Sequence, residues 1–198
     1  SIERAITEKT KLIVVVHYGG KILDLEKLSK IEKKYKIPIV QDAAHSFGTT
    51  FKGKPISSFT KYTMYSFQAI KTLTTGDGGM VVINSLNKKN NTFLSEKAKR
   101  IRWFGIDRKK KQNSTWSNNI TEVGFKYQMN DIAATIGIGN LKYVKKLLKH
   151  RRKLLEIYNS IDSIEGLQNI SGYKKSRSSE HGAWLPTILS DNRYEVQK

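Results

Sequence analysis

The chain contains no cysteine. That excludes disulfides, thiolate metal sites and cysteine nucleophiles together, and it fits a cytoplasmic protein. No apolar run approaches the roughly 20 residues that a membrane-spanning helix needs, and no basic–apolar–small-residue start marks a secretory signal. The histidines at 17, 45, 150 and 181 have no metal-ligand spacing such as His-Glu-x-x-His, so no metal site is expected. A hydrolytic triad is poorly served, because the chain has no Gly-x-Ser-x-Gly elbow. Walker and Rossmann glycine patterns are missing too, as are internal repeats and long low-complexity segments.

Positive charge is what the chain has in excess. Lys and Arg number 36 against 17 Asp and Glu, a formal charge of +19. Such a balance first suggests nucleic acid or an anionic membrane. The lysines, however, are spread through predicted helices and loops alike, beside frequent Asn and Ile. We read this as a compositional bias, and expect neither nucleic acid nor membrane as partner. The 198 residues suffice for one sizeable core and part of a second domain. A start at Ser1 and a stop at Lys198, where a new element begins, suggest a piece of a longer protein.

Residues 11–17, KLIVVVH, form a continuous apolar run before YGG, the pattern of a buried strand in a parallel sheet. Asp24 stands at an N-cap position, and Leu25, Leu28, Ile31 and Tyr35 follow at helical spacing. IPIVQDA is a second buried strand, so strand, helix and strand make a right-handed βαβ unit. Ligands of such sheets bind beyond the carboxyl ends of the strands, and Asp42 stands at one. KYTMYSF is an alternating strand that ends at Ser66 and Phe67, with Lys71 in the loop beyond it; GDGG turns the chain into a short strand, MVVIN. A helix is expected from about Leu94 to Trp103, then a polar, mobile connection over 105–120. Asn130 caps a long helix with Ile132, Ile136, Leu141, Val144 and Leu148 at helical period. The run KKLLKHRRKLLEIY either continues that helix or opens another, with an apolar stripe and a solvated basic face. After Ser160 come short turns and a strand-like AWLPTIL.

If QDAAHSFG and SFQAIK both lie at the carboxyl edge, one site gathers a carboxylate, an imidazole, a hydroxyl and an amine. A lysine with a carboxylate suits pyridoxal 5'-phosphate: the amine condenses with the aldehyde, and the carboxylate keeps the pyridine nitrogen protonated. Each residue also has a plainer reading. Lys71 alone is a solvated charge, Asp42 a surface carboxylate or cap, His45 a partner for a buried carbonyl, and Ser66 a backbone hydrogen-bonding residue. His17, at a strand end, reads as structural, and Trp103, Phe104 and Trp184 as packing residues. TTGDGG is either a turn or a place where backbone approaches a ligand closely.

Four blocks in order, TKLIVVVHYGG, VQDAAHSFGTTFKGK, YSFQAIKTLTTGDGGMVV and VGFKYQMNDIAATIGIGNL, resemble the DegT/DnrJ/EryC1/StrS family of sugar aminotransferases. The resemblance covers roughly residues 5–160. It implies an α/β, fold-type-I pyridoxal phosphate transferase of the aspartate-aminotransferase-like kind. Residues 1–160 would be the second half of the cofactor-binding large domain, including a long interdomain helix, and 161–198 the beginning of an α+β small domain. The family's N-terminal segment, with its phosphate contacts and ring-stacking side chain, has no counterpart here.

Carried over by position, Lys71 resembles the Schiff-base lysine that also shuttles the proton, with Asp77 where Glu is common. Asp42 would pair with the pyridinium nitrogen, His45 stand near the ring hydroxyl, and Ser66 bond the phosphate. Lys126 replaces an Asn that the family often supplies to the neighbouring subunit's phosphate; the lysine would neutralise phosphate as a point charge or point outward. The resemblance implies transamination of a nucleotide-linked keto-deoxysugar by a homodimer, with glutamate as donor, for surface polysaccharide such as lipopolysaccharide or other glycans. Three alternatives remain: a cofactor-binding regulatory protein without turnover, a same-fold sugar dehydratase with His in place of the lysine, and a basic nucleic-acid-binding domain.

Overall fold

The computed structural model describes residues 2–84, 88–110, 119–170 and 179–196. Its central sheet has four strands in the order β1 (Ile13–Val16), β2 (Ile39–Asp42), β3 (Tyr62–Ser66) and β4 (Gly79–Ile83). The first three are parallel and β4 runs antiparallel to β3. Helix α1 (Leu25–Tyr35) joins β1 to β2 as the sequence pattern predicts, and Asp24 caps it by accepting Lys27 N–H at 3.0 Å. Its buried Leu25 and Leu28 pack with Val15, Ile39, Ala43 and Ile56 into the core, flanked by Ile13, Ile22, Ile31, Phe51, Phe59 and Tyr65.

Burial of β1 is one-sided. The apolar run predicts a strand covered on both faces, yet Val14 and Val16 are exposed while Val15 is buried. Side chains alternate across a strand, and α1 covers only one face. Behind the strand end lies a buried polar chain. Leu23 N–H donates to His17 Nδ1 at 3.3 Å, which leaves His17 Nε2–H to donate to Gln41 Oε1 at 2.7 Å. Gln41 Nε2 in turn donates to Ile56 O at 2.9 Å and Thr60 Oγ1 at 2.7 Å. Burial holds His17 below its ordinary pKa, opposed by the Gln41 hydrogen bond and the Asp42 charge. The structural reading of His17 agrees with this setting.

Helix α2 (Lys88–Ile101) starts earlier than the apolar pattern predicts, because its first turns carry Lys and Asn rather than periodic apolar residues. The expectation of a mobile connection over 105–120 falls partly on 111–118, which lie outside the described residues. Among the rest, Ile106 bridges Ile120 and Trp103 bridges Lys126.

Helix α3 (Asp131–Leu141) is capped by Asn130, which accepts Ala133 N–H at 2.8 Å. It does not bury the apolar residues of the helical pattern: Ile132, Ile136 and Leu141 are exposed and Gly137 is buried. A Cβ at Gly137 would meet Thr75 Cγ2 at 2.7 Å, so the helix packs through its small-residue face, where its backbone comes closest. Of the two readings of KKLLKHRRKLLEIY, the structure takes the second: the run opens a helix of its own. Tyr143 N–H closes on Asn140 O, and α4 (Val144–Asn159) opens as a separate helix. Gly139–Asn140 is a poor helical stretch, and the Asn140 side chain is drawn to Thr74 O at 2.9 Å. Helix α4 buries Leu148 and Leu155 and leaves its lysines exposed.

Beyond it, β5 (Leu167–Asn169) pairs antiparallel with β6 (Ile188–Ser190). The strand expected over AWLPTIL therefore begins only at Ile188. The backbone before it is used otherwise: Thr50 bridges Glu180, and Leu185 N–H donates to Gly19 O.

Candidate active site

Asp42 ends β2 and Ser66 ends β3, and the parallel register, with Asp42 opposite Met64, brings both to one carboxyl edge. Asp42 Oδ1 accepts Ala44 N–H at 3.0 Å, and its other oxygen has no hydrogen-bond partner among the described residues. Ser66 Oγ accepts Gln68 N–H at 3.4 Å, a long contact that leaves the hydroxyl proton available.

Lys71 lies in the loop between β3 and β4. The loop closes where Thr75 N–H donates to Phe67 O at 2.9 Å and Phe67 N–H donates to Gly78 O at 2.8 Å. Phe67, Thr72, Leu73 and Thr75 are buried, so the loop is anchored at both ends while Lys71 is half-buried. Gly78 has φ +135°, and a Cβ there would meet Met129 Cε at 2.9 Å. Gly78 and Gly79 of TTGDGG thus serve close packing where the chain turns into β4, whereas Gly76, at φ +80°, has open space beside it.

His45 follows Asp42 in the chain and meets Lys71 through a shared tryptophan. Gly19 N–H donates to its Nδ1 at 3.2 Å, so the neutral ring presents Nε2–H outward as a donor. Burial lowers its pKa, Lys71 lowers it further, and Asp42 opposes both, which places the imidazole within the fields of both charges. Its ring stacks on Trp184, centroids 3.9 Å apart and planes at 23°, and Tyr18 meets it edge-on. The Lys71 ammonium lies over the same tryptophan, 3.9 Å from the ring centre. Trp184, read from the sequence as a packing residue, is therefore part of this cluster.

Lys126 is elsewhere. Its ammonium lies 4.6 Å from the centre of the Trp103 ring, and Arg108 stands over that ring at 4.6 Å as well. Trp103 and Arg108, but not Lys126, line a cavity of about 720 Å³ together with Arg100, Arg102, Asp107 and Gln128. That cavity mixes cations with Glu96, Asp107 and Asp131 and has no imidazole, whereas the lysine–carboxylate–imidazole set is at the sheet edge. No group of His, Cys, Asp and Glu among the described residues is placed to hold a metal.

The donor set at the sheet edge fits pyridoxal phosphate. It offers a carboxylate with a free oxygen for a ring nitrogen, an imidazole N–H for a ring hydroxyl, a hydroxyl for phosphate and an amine for an aldehyde. The α/β sheet, with its parallel strands ending at one carboxyl edge, is that of the fold-type-I pyridoxal phosphate transferases. The chain belongs to the DegT/DnrJ/EryC1/StrS aminotransferase family, whose pattern it matches over residues 1–198.

An uncharacterized protein of Methanocaldococcus jannaschii is 36% identical over 202 residues, covering 100% of this chain and 50% of that protein. GDP-perosamine synthase of Vibrio cholerae is 31% identical over 197 residues, again 100% of this chain and 50% of the relative. Among solved structures, a putative sugar aminotransferase of Streptococcus pneumoniae superimposes in its PMP-form with a TM-score of 0.85, at 28% identity over 96% of this chain and 52% of that one. The same protein in its PLP-form gives 0.83. The chain spans about half the length of the curated relatives it matches.

Proposed function

We propose that the protein to which this chain belongs is a pyridoxal phosphate-dependent aminotransferase acting on a nucleotide-linked keto-deoxysugar. The observation that carries the reading is the gathering of Asp42, His45 and Lys71 at one sheet edge, with His45 in the field of both charges. The sugar class is supported by relatives that include GDP-perosamine synthase and a Campylobacter jejuni UDP-4-amino-4,6-dideoxy-N-acetyl-beta-L-altrosamine transaminase. A relative named for UDP-4-amino-4-deoxy-L-arabinose and oxoglutarate supports the glutamate–oxoglutarate couple as amino donor.

Bound here, pyridoxal phosphate supplies a carbonyl for amine exchange and a ring that accepts electrons. Asp42 would hold the ring nitrogen protonated, since an adjacent anion favours the charged form. His45 Nε2–H would orient the ring through its hydroxyl, and Ser66 would bond the phosphate. Lys71 would carry the cofactor and then, released by the donor amine, move the proton at the reacting carbon as general acid and base. Lys126 would neutralise phosphate in a neighbouring subunit, which requires a homodimer. Residues 1–160 then form part of the large domain and 161–198 open the small one, in a cytoplasmic enzyme of glycan assembly. None of the helices among the described residues is long and apolar enough to cross a membrane.

The test is a map of the reactive amine. The full-length chain is incubated with limiting pyridoxal phosphate, reduced with borohydride and digested for mass spectrometry. Label concentrated on Lys71, and lost from that peptide in Asp42→Asn, is expected. Label spread evenly over the lysines would overturn the cofactor assignment.

A further inference from the structure

Three contacts converge on Trp184. Its indole N–H donates to the carbonyl of Ile70, the residue before Lys71, at 3.1 Å. The Lys71 ammonium lies over its ring at 3.9 Å, and the His45 ring stacks on it at 3.9 Å. One side chain thus touches the backbone next to the amine, the amine itself and the imidazole beside it. The arrangement is also rigid on the tryptophan's side. Arg151 donates to Trp184 O at 3.2 Å and Arg152 to His181 O at 2.9 Å, while Leu185 N–H bonds Gly19 O. Ala183 is buried in a left-handed conformation at φ +49°, with its N–H on His181 Nδ1 at 2.8 Å. A Cβ on Gly182 would meet Thr49 Oγ1 at 2.7 Å, so this segment is seated directly on the loop that follows Asp42 and His45.

We propose that Trp184 is a positioning residue for Lys71, a fixed aromatic wall that holds the amine beside His45 while it is charged. A ring face attracts an ammonium and has no comparable hold on a neutral amine. The wall therefore parks the lysine when it carries a proton and lets it go when it does not. The segment that carries the wall leads into the β5–β6 hairpin, so the start of the second lobe sets where the reactive amine rests. This inference rests on Lys71 being the amine that carries the cofactor.

The test needs no cofactor, so it can fail while the pyridoxylation map succeeds, and the reverse. In the cofactor-free full-length chain, lysines are acylated at low conversion and the rate at each is read by mass spectrometry. Trp184→Leu and Trp184→Met remove the ring, and Trp184→Phe keeps it while removing the indole N–H. In a ring-less variant, Lys71 is expected to react about fivefold faster, the factor that a single cation–ring contact supplies. Lys21 and Lys126 serve as references: the first is beside the same segment, and the second lies over a different tryptophan. The phenylalanine variant should stay within about twofold of wild type, a rescue that general loosening of the fold would not produce. A ring-less variant with unchanged reference rates and an unchanged Lys71 rate overturns the proposal. So does a phenylalanine variant as reactive as the ring-less ones, since the hydrogen bond to Ile70 would then be the whole effect. Should the leucine variant accelerate at every lysine, the methionine variant, of closer volume, decides by the same two criteria.

Discussion

Among the described residues two lysines lie over tryptophan rings, and their surroundings differ. Lys71 is 3.9 Å from the ring centre of Trp184 and Lys126 is 4.6 Å from that of Trp103. At the first, the ring is shared with an imidazole, and a carboxylate with a free oxygen stands nearby. At the second, the ring is shared with Arg108, and two of the nearby carboxylates are engaged in ion pairs, Glu96 with Lys99 and Lys109 and Glu122 with Arg100. The first surroundings can protonate, deprotonate and orient. The second can attract an anion and little else. What distinguishes a reactive lysine in a lysine-rich chain is the company it keeps, since the cation–ring contact is common to both.

The sharpest way to break the comparison is to remove each amine in turn. Lys71→Ala should lower sugar transamination by the full general acid–base factor, about a thousandfold or more. It should also abolish borohydride-fixed label on its peptide. Asp42→Asn, which leaves the amine and removes the charge meant for the ring nitrogen, should cost about a hundredfold in kcat. Steady-state rates with glutamate and a nucleotide-linked keto sugar measure both. Equal losses for Lys71→Ala and Lys126→Ala would erase the distinction.

The sheet-edge cluster was more legible in the sequence than the wall behind it. Asp42 and Ser66 could be placed because the apolar runs of β2 and β3 end visibly, and strand ends in parallel sheets face one edge. Lys71 stood out through its block, since nothing in its own charge separates it from the other lysines. Trp184 could not be assigned to the site: it meets Ile70 across 114 residues of chain, and no periodicity links positions that far apart. The same limit misplaced the burial on α3. Apolar periodicity points to Ile132 and Ile136, but the contact with the lysine loop is made by Gly137 and Asn140. A small residue that allows backbone approach leaves no mark in a hydrophobic pattern.

The segment that holds Trp184 carries a buried titratable group, His181. His181 is pushed down to about 4, first by burial and then by Arg152 and Lys21. His17, behind Asp42, is lowered by burial in the same direction. Both rings are neutral in the fold, and in the unfolded chain they take protons near pH 6.5, so acid favours unfolding. For both, stability is present above that value and is lost as pH falls below it; for His181 the loss runs down to about 4 and is on the order of 3 kcal/mol. Thermal melts from pH 7 to 4 should show it, and His181→Asn should flatten the profile. Arg152→Ala tests the same joint without protons. Arg152 donates to Gly48 O and His181 O, each at 2.9 Å, and pairs with Glu180 at 3.0 Å. Its loss should cost about 2 kcal/mol in chemical denaturation, as for charge-assisted bonds to half-buried carbonyls.

The smallest effect belongs to Lys126, and it decides what the second lysine–tryptophan pair is for. If Lys126 neutralises phosphate as a point charge, Lys126→Ala should weaken pyridoxal phosphate binding by about tenfold or less. The weakening should shrink as salt is raised, because screening removes an exposed charge's contribution. Label should remain on Lys71 throughout, since the variant leaves the amine, Asp42 and His45 in place. An absorbance titration of the full-length protein at two salt concentrations measures the affinity. An unchanged affinity at low salt would mean that Lys126 points away from the phosphate and that its role ends at the ring of Trp103. The two pairs would then differ completely, one in the reaction and one in the surface.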